Sequence, residues 1–128
     1  MPDVLIVDDN AINRSLAKTL LKRSGWEPSE ADCGEIALEM LESRTYPVVL
    51  LDISMPGLSG METVKRIRNM PKCRGIHVVA YTAHAMEDEK RQILEAGFDD
   101  ILVKPVSKDS LLATFEPLRQ RLSEEPAS

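Results

Sequence analysis

Four apolar runs of this chain each lead into a residue able to do chemistry. Val4 to Val7 runs into Asp8 and Asp9, and Val48 to Leu51 runs into Asp52. Ile76 to Ala80 is followed by Thr82, and Asp99 to Val103 by Lys104. Carboxylates brought close together repel and raise one another's pKa unless a cation neutralises them. Mg²⁺ suits such a cluster, because it takes oxygen ligands and keeps several waters, whereas zinc favours imidazole and thiolate. The remaining residues suit a phosphoryl group. A carboxylate can act as nucleophile and become an acyl phosphate. A metal ion and an ammonium neutralise charge on the transferring oxygens, and a hydroxyl and backbone N–H groups donate hydrogen bonds. Asp8, Asp9, Asp52, Thr82 and Lys104 are therefore the candidate site.

Other constellations are weaker. The glycines form neither common phosphate-cradling pattern. His84 lies near Thr82 but has no serine or cysteine partner with which to build a triad. His77 falls inside an apolar strand and reads as a packed or edge residue. The basic clusters Lys18, Lys22, Arg23 and Lys65, Arg66, Arg68 have the spacing of solvated helix faces.

For the candidate residues to meet, the runs must be strands of one sheet. Val4 to Val7 reads as a strand buried on both faces. A helix follows from Ile12, with Ile12, Leu16, Leu20 and Leu21 as its apolar stripe, and stops at Ser24-Gly25. A weaker, polar strand from Glu27 to Ala31 is expected at the sheet edge. The helix Gly34 to Ser43 should turn Ile36, Ala37, Met40 and Leu41 inward. Pro47 opens the strand that ends at Asp52, and a turn from Ser54 to Gly60 follows, set by Pro56 and Gly57. A helix through Met61, Val64, Ile67 and Arg68 breaks at Pro71. A charged helix from Ala85 to Ala96 presents Met86, Ile93 and Leu94 and stops at Gly97. The last helix spans about Lys108 to Leu122, with Leu111, Leu112, Phe115, Leu118 and Leu122 apolar; Pro117 should kink or shorten it. Alternation of strand and helix predicts an α/β fold whose parallel sheet is covered on both faces. Chemistry in such folds sits just beyond the carboxyl ends of the strands.

The chain has 128 residues, enough for one domain, read as 1–123, with 124–128 as a flexible tail or linker. A formal net charge of -5 argues against direct contact with nucleic acid. No apolar run is long enough to span a membrane, and no leader precedes the first strand. Cys33 and Cys73 are too few and too distant for a disulfide scaffold, which makes a cytoplasmic setting the simplest expectation.

The candidate residues lie inside four longer pieces: Val7-Asp8-Asp9-Asn10 with Asn13-Arg14, Leu51-Asp52-Ile53-Ser54-Met55-Pro56 with Gly60, Tyr81-Thr82-Ala83-His84-Ala85, and Gly97 through Lys104-Pro105. In this order and at these separations they resemble the receiver domain of two-component response regulators, over essentially the whole chain. The opening and the Thr-Ala-His-Ala segment are most similar to receivers of hybrid histidine kinases. The resemblance implies a flavodoxin-like (βα)5 three-layer sandwich with strand order 2-1-3-4-5. It implies that Asp52 accepts a phosphoryl group from a phosphohistidine on a kinase or phosphotransfer protein, relays or reads out the signal, and slowly dephosphorylates itself. No separate turnover enzyme is expected. Asp9, Asp52 and the Ser54 carbonyl would bind Mg²⁺, with Asp8 acting largely through bound water. Lys104 would pair with the phosphoryl group, Thr82 would swing to hydrogen-bond it, and small Ala83 would leave it room. Lys104–Pro105 would be cis, and Ser54 and His84 would flank the path of the hydrolytic water.

One position departs from the family. Three residues before the lysine, where an aromatic ring is usual, stands Ile101, so an aromatic read-out is not expected in its usual form. Two other readings follow from the residues: a docking module on the same fold that no longer needs phosphorylation, and an aspartyl-phosphate hydrolase. The hydrolase would require a further acid two residues after Asp52, where Ser54 stands. The face made by the fourth helix, fifth strand and fifth helix, rich in Glu87, Asp88, Glu89, Lys90 and Arg91, suits transient contacts with an effector or a second copy.

Overall fold

Alternating side chains on each strand divide the core of this computed structural model, which describes residues 1–124, into two layers. The strands are β1 (Asp3–Val7), β2 (Glu27–Ala31), β3 (Val48–Asp52), β4 (His77–Thr82) and β5 (Asp100–Val103). The helices between and after them are α1 (Ala11–Arg23), α2 (Gly34–Ser43), α3 (Gly60–Asn69), α4 (Glu87–Ala96) and α5 (Lys108–Glu124), with a short 3₁₀ turn at Pro71–Cys73. All pairings are parallel, and the order across the sheet is β2-β1-β3-β4-β5. This is the flavodoxin-like (βα)5 architecture expected from the resemblance. Segment 125–128 of the expected tail lies outside the described residues.

On one side of the sheet Leu5, Val7, Val49, Leu51, Val78 and Ala80 meet α2, α3 and α4 through Ala37, Leu41, Val64, Ile67 and Ile93. On the other, Val4, Ile6, Val48, Leu50, Val79 and Tyr81 meet α1 and α5 through Ala17, Leu21, Leu111 and Phe115. Trp26 packs edge-on against Phe115, with ring centroids 5.5 Å apart. The central strands are buried on both faces, which explains why their sequences run apolar without alternation. Polar β2 occupies the edge, as its composition required.

Several helix faces differ from their sequence reading. In α1 the buried residues are Ala17 and Leu21, whereas Ile12 and Leu16 are exposed. Each step of four residues overshoots a full turn by about 40°, so 12, 16 and 20 do not form one stripe: Ile12 faces away from the sheet, and only Leu20 has wound round far enough to pack against the core. Ile36 of α2 is likewise exposed, leaving Ala37 and Leu41 as its inward pair. α4 begins at Glu87, with Met86 as its extended cap; Met86 and Leu94 are exposed, and Ile93 alone is buried. β4 runs on to Thr82 because backbone pairing continues through Thr82↔Val103. α5 passes through Pro117 instead of ending there.

Arg68, read from sequence as part of a solvated cluster, is an internal clamp. Its guanidinium donates to the carbonyls of Gly97 (2.9 Å) and Ile76 (2.7 Å) and to Asp99 Oδ2 (2.7 Å). The same Asp99 oxygen accepts the Val78 N–H at 2.9 Å. One side chain thus ties α3 to the start of β4 and the α4–β5 turn. Arg68→Ala is expected to lower unfolding free energy by about 2 kcal/mol, read by urea titration. Arg68→Lys should recover little, since one ammonium cannot reproduce the planar fork.

Candidate functional site

Odd–even alternation brings the chemistry together. On β1 and β3 the residues facing α1 and α5 are Val4, Ile6, Val48 and Leu50, and the next places in those series are Asp8 and Asp52. Both carboxylates therefore point to the same face at the carboxyl rim. Asp8 is fully buried and Asp52 nearly so, at 2% exposure. Carboxylate oxygens of Asp8, exposed Asp9 and Asp52 fall within 4.8 Å of one another, a group able to hold a divalent metal.

Lys104 enters from beyond β5. Its Nζ lies 3.0 Å from Asp52 Oδ1 and 3.1 Å from Asp8 Oδ2. The ammonium is thus shared between the two buried acids. Asp52 Oδ1 also accepts the Ser54 N–H at 3.2 Å, and Asp8 Oδ1 accepts the Asn10 N–H at 2.8 Å. Burial pushes the Asp52 carboxyl up to about 6, and the Asp8 charge adds to the rise; Lys104 and the Ser54 N–H oppose it without cancelling it. Buried Asp8 Oδ2 accepts no hydrogen bond of good geometry despite its nearness to Lys104. An oxygen-only set with an under-satisfied buried carboxylate fits a hard divalent cation.

The other predicted residues take distinct places. Thr82 is buried at the end of β4, but its hydroxyl is turned toward the next loop, donating to the His84 carbonyl at 2.9 Å and accepting its N–H at 3.2 Å. Ala83, His84 and Ser54 are exposed, and all three line a cleft of about 210 Å³ with Ile53 and Met61. The Lys104–Pro105 peptide is cis. Ile101 does not reach the rim; it is half-buried against the core between the sheet and α2–α4.

Three further residues at the site stood within the quoted motifs but were given no role from sequence. Arg14 donates to the Asp8 carbonyl at 2.7 Å and pairs with Glu30 at 3.1 Å, holding the β1–α1 turn. Gly60 sits where a Cβ would run into the Asp52 carbonyl and stand 2.6 Å from the Ile53 Cα. Gly60→Ala is therefore expected to cost about 1–3 kcal/mol of stability and to slow chemistry at Asp52, checked by thermal melts beside a rate assay. Tyr81 is paired in register with Asp52, and Lys104 Nζ lies 4.8 Å above its ring. Burial, with the Asp8 charge adding, pushes the Tyr81 phenol up to about 12. The period of a strand could have signalled Tyr81, since register partners in a parallel sheet share a face.

Residues 4–116 match the response regulator receiver domain family. The sensor histidine kinase GacS of Pseudomonas protegens is 40% identical over 113 residues, covering 86% of this chain and 12% of that protein. The phosphate regulon transcriptional regulatory protein PhoB of Escherichia coli is 32% identical over 120 residues, covering 94% of this chain and 52% of PhoB. The chain thus spans only a small part of the sensor kinases it resembles. Among solved structures, chemotaxis protein CheY4 of Vibrio cholerae superposes with a TM-score of 0.86 at 28% identity, over 91% of this chain and 98% of that one. The receiver domain of a Pseudomonas aeruginosa sensor histidine kinase, solved with magnesium in its active-site cleft, gives a TM-score of 0.80 at 28% identity, covering 94% and 95%.

Proposed function

Because this chain belongs to the response regulator receiver domain family, we propose that it takes a phosphoryl group from a phosphohistidine onto Asp52 and passes the signal on. The observation that carries this reading is the buried Asp52 carboxylate, held by Lys104 and the Ser54 N–H and flanked by Asp8 and Asp9. A carboxylate oxygen of Asp52 attacks phosphorus; the O–P bond forms as the P–N bond of the donor breaks, and the leaving imidazole keeps the electron pair and takes a proton from solvent. Lys104 meets the charge on the incoming oxygens. Thr82 leaves the His84 backbone to donate its hydroxyl to the phosphoryl group, next to exposed Ala83, where no larger side chain stands in the way.

Mg²⁺ is the proposed metal, held by Asp9, Asp52 and the Ser54 carbonyl with Asp8 through water. When bound it supplies charge neutralisation at the transferring oxygens. Support comes from the all-oxygen donor set and from the magnesium reported in the Pseudomonas aeruginosa receiver. The proposed donor is a histidine kinase or phosphotransfer protein, as the likeness to sensor kinases such as GacS suggests. Ser54 and His84 would tune the lifetime of the acyl phosphate from the cleft they share with Thr82. Effector or self-contacts are proposed for the face of α4, β5 and α5, where Leu94 and Val103 are exposed beside Lys90 and Arg91. With Ile101 packed inside, output through that face would not use a ring at position 101. A cytoplasmic location is part of this reading; among the described residues no helix is long and apolar enough to cross a membrane.

The test is to incubate the chain with Mg²⁺ and acetyl phosphate and measure its intact mass. A gain of one phosphoryl group that hydroxylamine removes, as it does from an acyl phosphate, is expected. No gain from acetyl phosphate or from a phosphohistidine protein would overturn the reading.

A further inference from the structure

We propose that Tyr81 is a positioning residue whose ring holds the Lys104 ammonium in place between Asp8 and Asp52. The inference rests on the phosphoacceptor reading above and adds to it a residue that acts through Lys104. Lys104 carries a compact charge on a flexible four-carbon stem, so its aim must come from what surrounds it. Three groups do. Asp52 Oδ1 and Asp8 Oδ2 lie 3.0 and 3.1 Å from Nζ, and the Tyr81 ring lies beneath at 4.8 Å from its centroid. That separation is within the reach of a cation–π attraction, which strengthens where water is excluded. The side chain of Lys104 is only 15% exposed, and Tyr81 is fully buried.

The ring rather than the hydroxyl is what the site uses. The Tyr81 Oη is buried and makes no hydrogen bond of good geometry among the described residues, with only the Val106 backbone near it, so it is the ring that meets the ammonium. The register pair Asp52↔Tyr81 and the neighbouring pair Tyr81↔Leu102 fix the ring on the Asp52 face, one step inside Lys104. An aliphatic side chain in the same place would fill the volume but present no negative face. The ring contact also has a particular value during the reaction. When Asp52 becomes an acyl phosphate, the Lys104 ion pair must pass from its carboxylate to the phosphoryl oxygens, whereas the attraction to Tyr81 does not depend on the state of Asp52.

The experiment compares initial rates of phosphoryl uptake from acetyl phosphate with Mg²⁺. Tyr81→Leu is expected to be about tenfold slower than the parent chain, and Tyr81→Phe to restore most of the loss. Because the leucine variant could fold poorly, phenylalanine with zero to three ring fluorines is also placed at 81. Fluorination drains the ring face at nearly constant shape, so rates should fall stepwise. In a Lys104→Met background the same substitutions should have no further effect. A flat fluorine series, equal slowing with and without Lys104, or a phenylalanine variant as slow as leucine would overturn the proposal. Failure of the parent chain to take a phosphoryl group overturns the phosphoacceptor reading itself, and this inference with it.

Discussion

Asp52→Asn is expected to abolish phosphoryl uptake while making the metal-free protein more stable near neutral pH. The first effect follows from chemistry: an amide oxygen does not form the anhydride that a carboxylate forms with phosphate. No other acid is placed to substitute. Asp8 is wholly buried, with Oδ1 engaged by the Asn10 N–H and Oδ2 against Lys104, and Asp9 lies outside the buried rim. Intact mass after incubation with acetyl phosphate and Mg²⁺ checks it; persistent labelling of the asparagine variant would move the acceptor elsewhere. The second effect follows from electrostatics. Asp52 ionises near 6 in the folded protein, against 3.8 for a free side chain, because burial and the Asp8 charge outweigh Lys104 and the Ser54 N–H. The folded state then binds the proton more tightly than the unfolded state, so stability declines as pH rises from about 4 through about 6. Asparagine carries no such charge. Its advantage in melting temperature should be full above pH 7 without metal and should fade as pH falls toward 4. An asparagine variant less stable than its parent at pH 7.5 would mean that the Lys104 pairing outweighs the crowding of acids.

How far the residues alone disclosed this protein depended on the kind of signal. The strands were plain, because Val4–Val7 and Val48–Leu51 are buried on both faces and leave little room for another reading. The site acids were legible for the same reason: a charged residue at the end of a fully apolar strand of a parallel sheet has only the carboxyl rim to occupy. Helix faces were harder. Ala17 is the centre of the buried face of α1, and an alanine weighs little beside exposed Ile12 and Leu16 in a count of apolar residues. Arg68 was hidden because most of its partners are backbone carbonyls, those of Arg74, Ile76 and Gly97, which leave no mark in sequence, and its one acidic partner, Asp99, lies 31 residues away. Tyr81 was hidden differently. It fell just past the strand read as Ile76 to Ala80, and only the meeting of β4 with the chain beyond β5 puts a cation over its ring.

The second large effect concerns the metal. Around Asp52 stand the carboxylates of Asp8, Asp9 and Asp52 itself, three negative charges against the single ammonium of Lys104. A phosphoryl donor brings further negative charge to this place. At an effective dielectric of about 20, each uncompensated pair some 5 Å apart opposes approach by roughly 3 kcal/mol. Lys104 cannot offset all of this, since one ammonium already serves two acids. Chelation of divalent metal is therefore expected to slow phosphoryl uptake by on the order of 10²-fold or more, a loss that added salt should not repair because Asp8 and Asp52 are buried. Asp9→Ala provides the finer measurement. Asp9 is the exposed member of the three, so its loss leaves the nucleophile and Lys104 in place while removing one oxygen ligand. The rate plotted against Mg²⁺ concentration should shift to about tenfold or more higher metal and approach a plateau of similar order. Uptake that survives chelation unchanged would mean that Lys104 alone carries the charge. An Asp9→Ala curve lying on that of the parent would remove Asp9 from the ligand set and leave Asp8 and Asp52 to hold the metal.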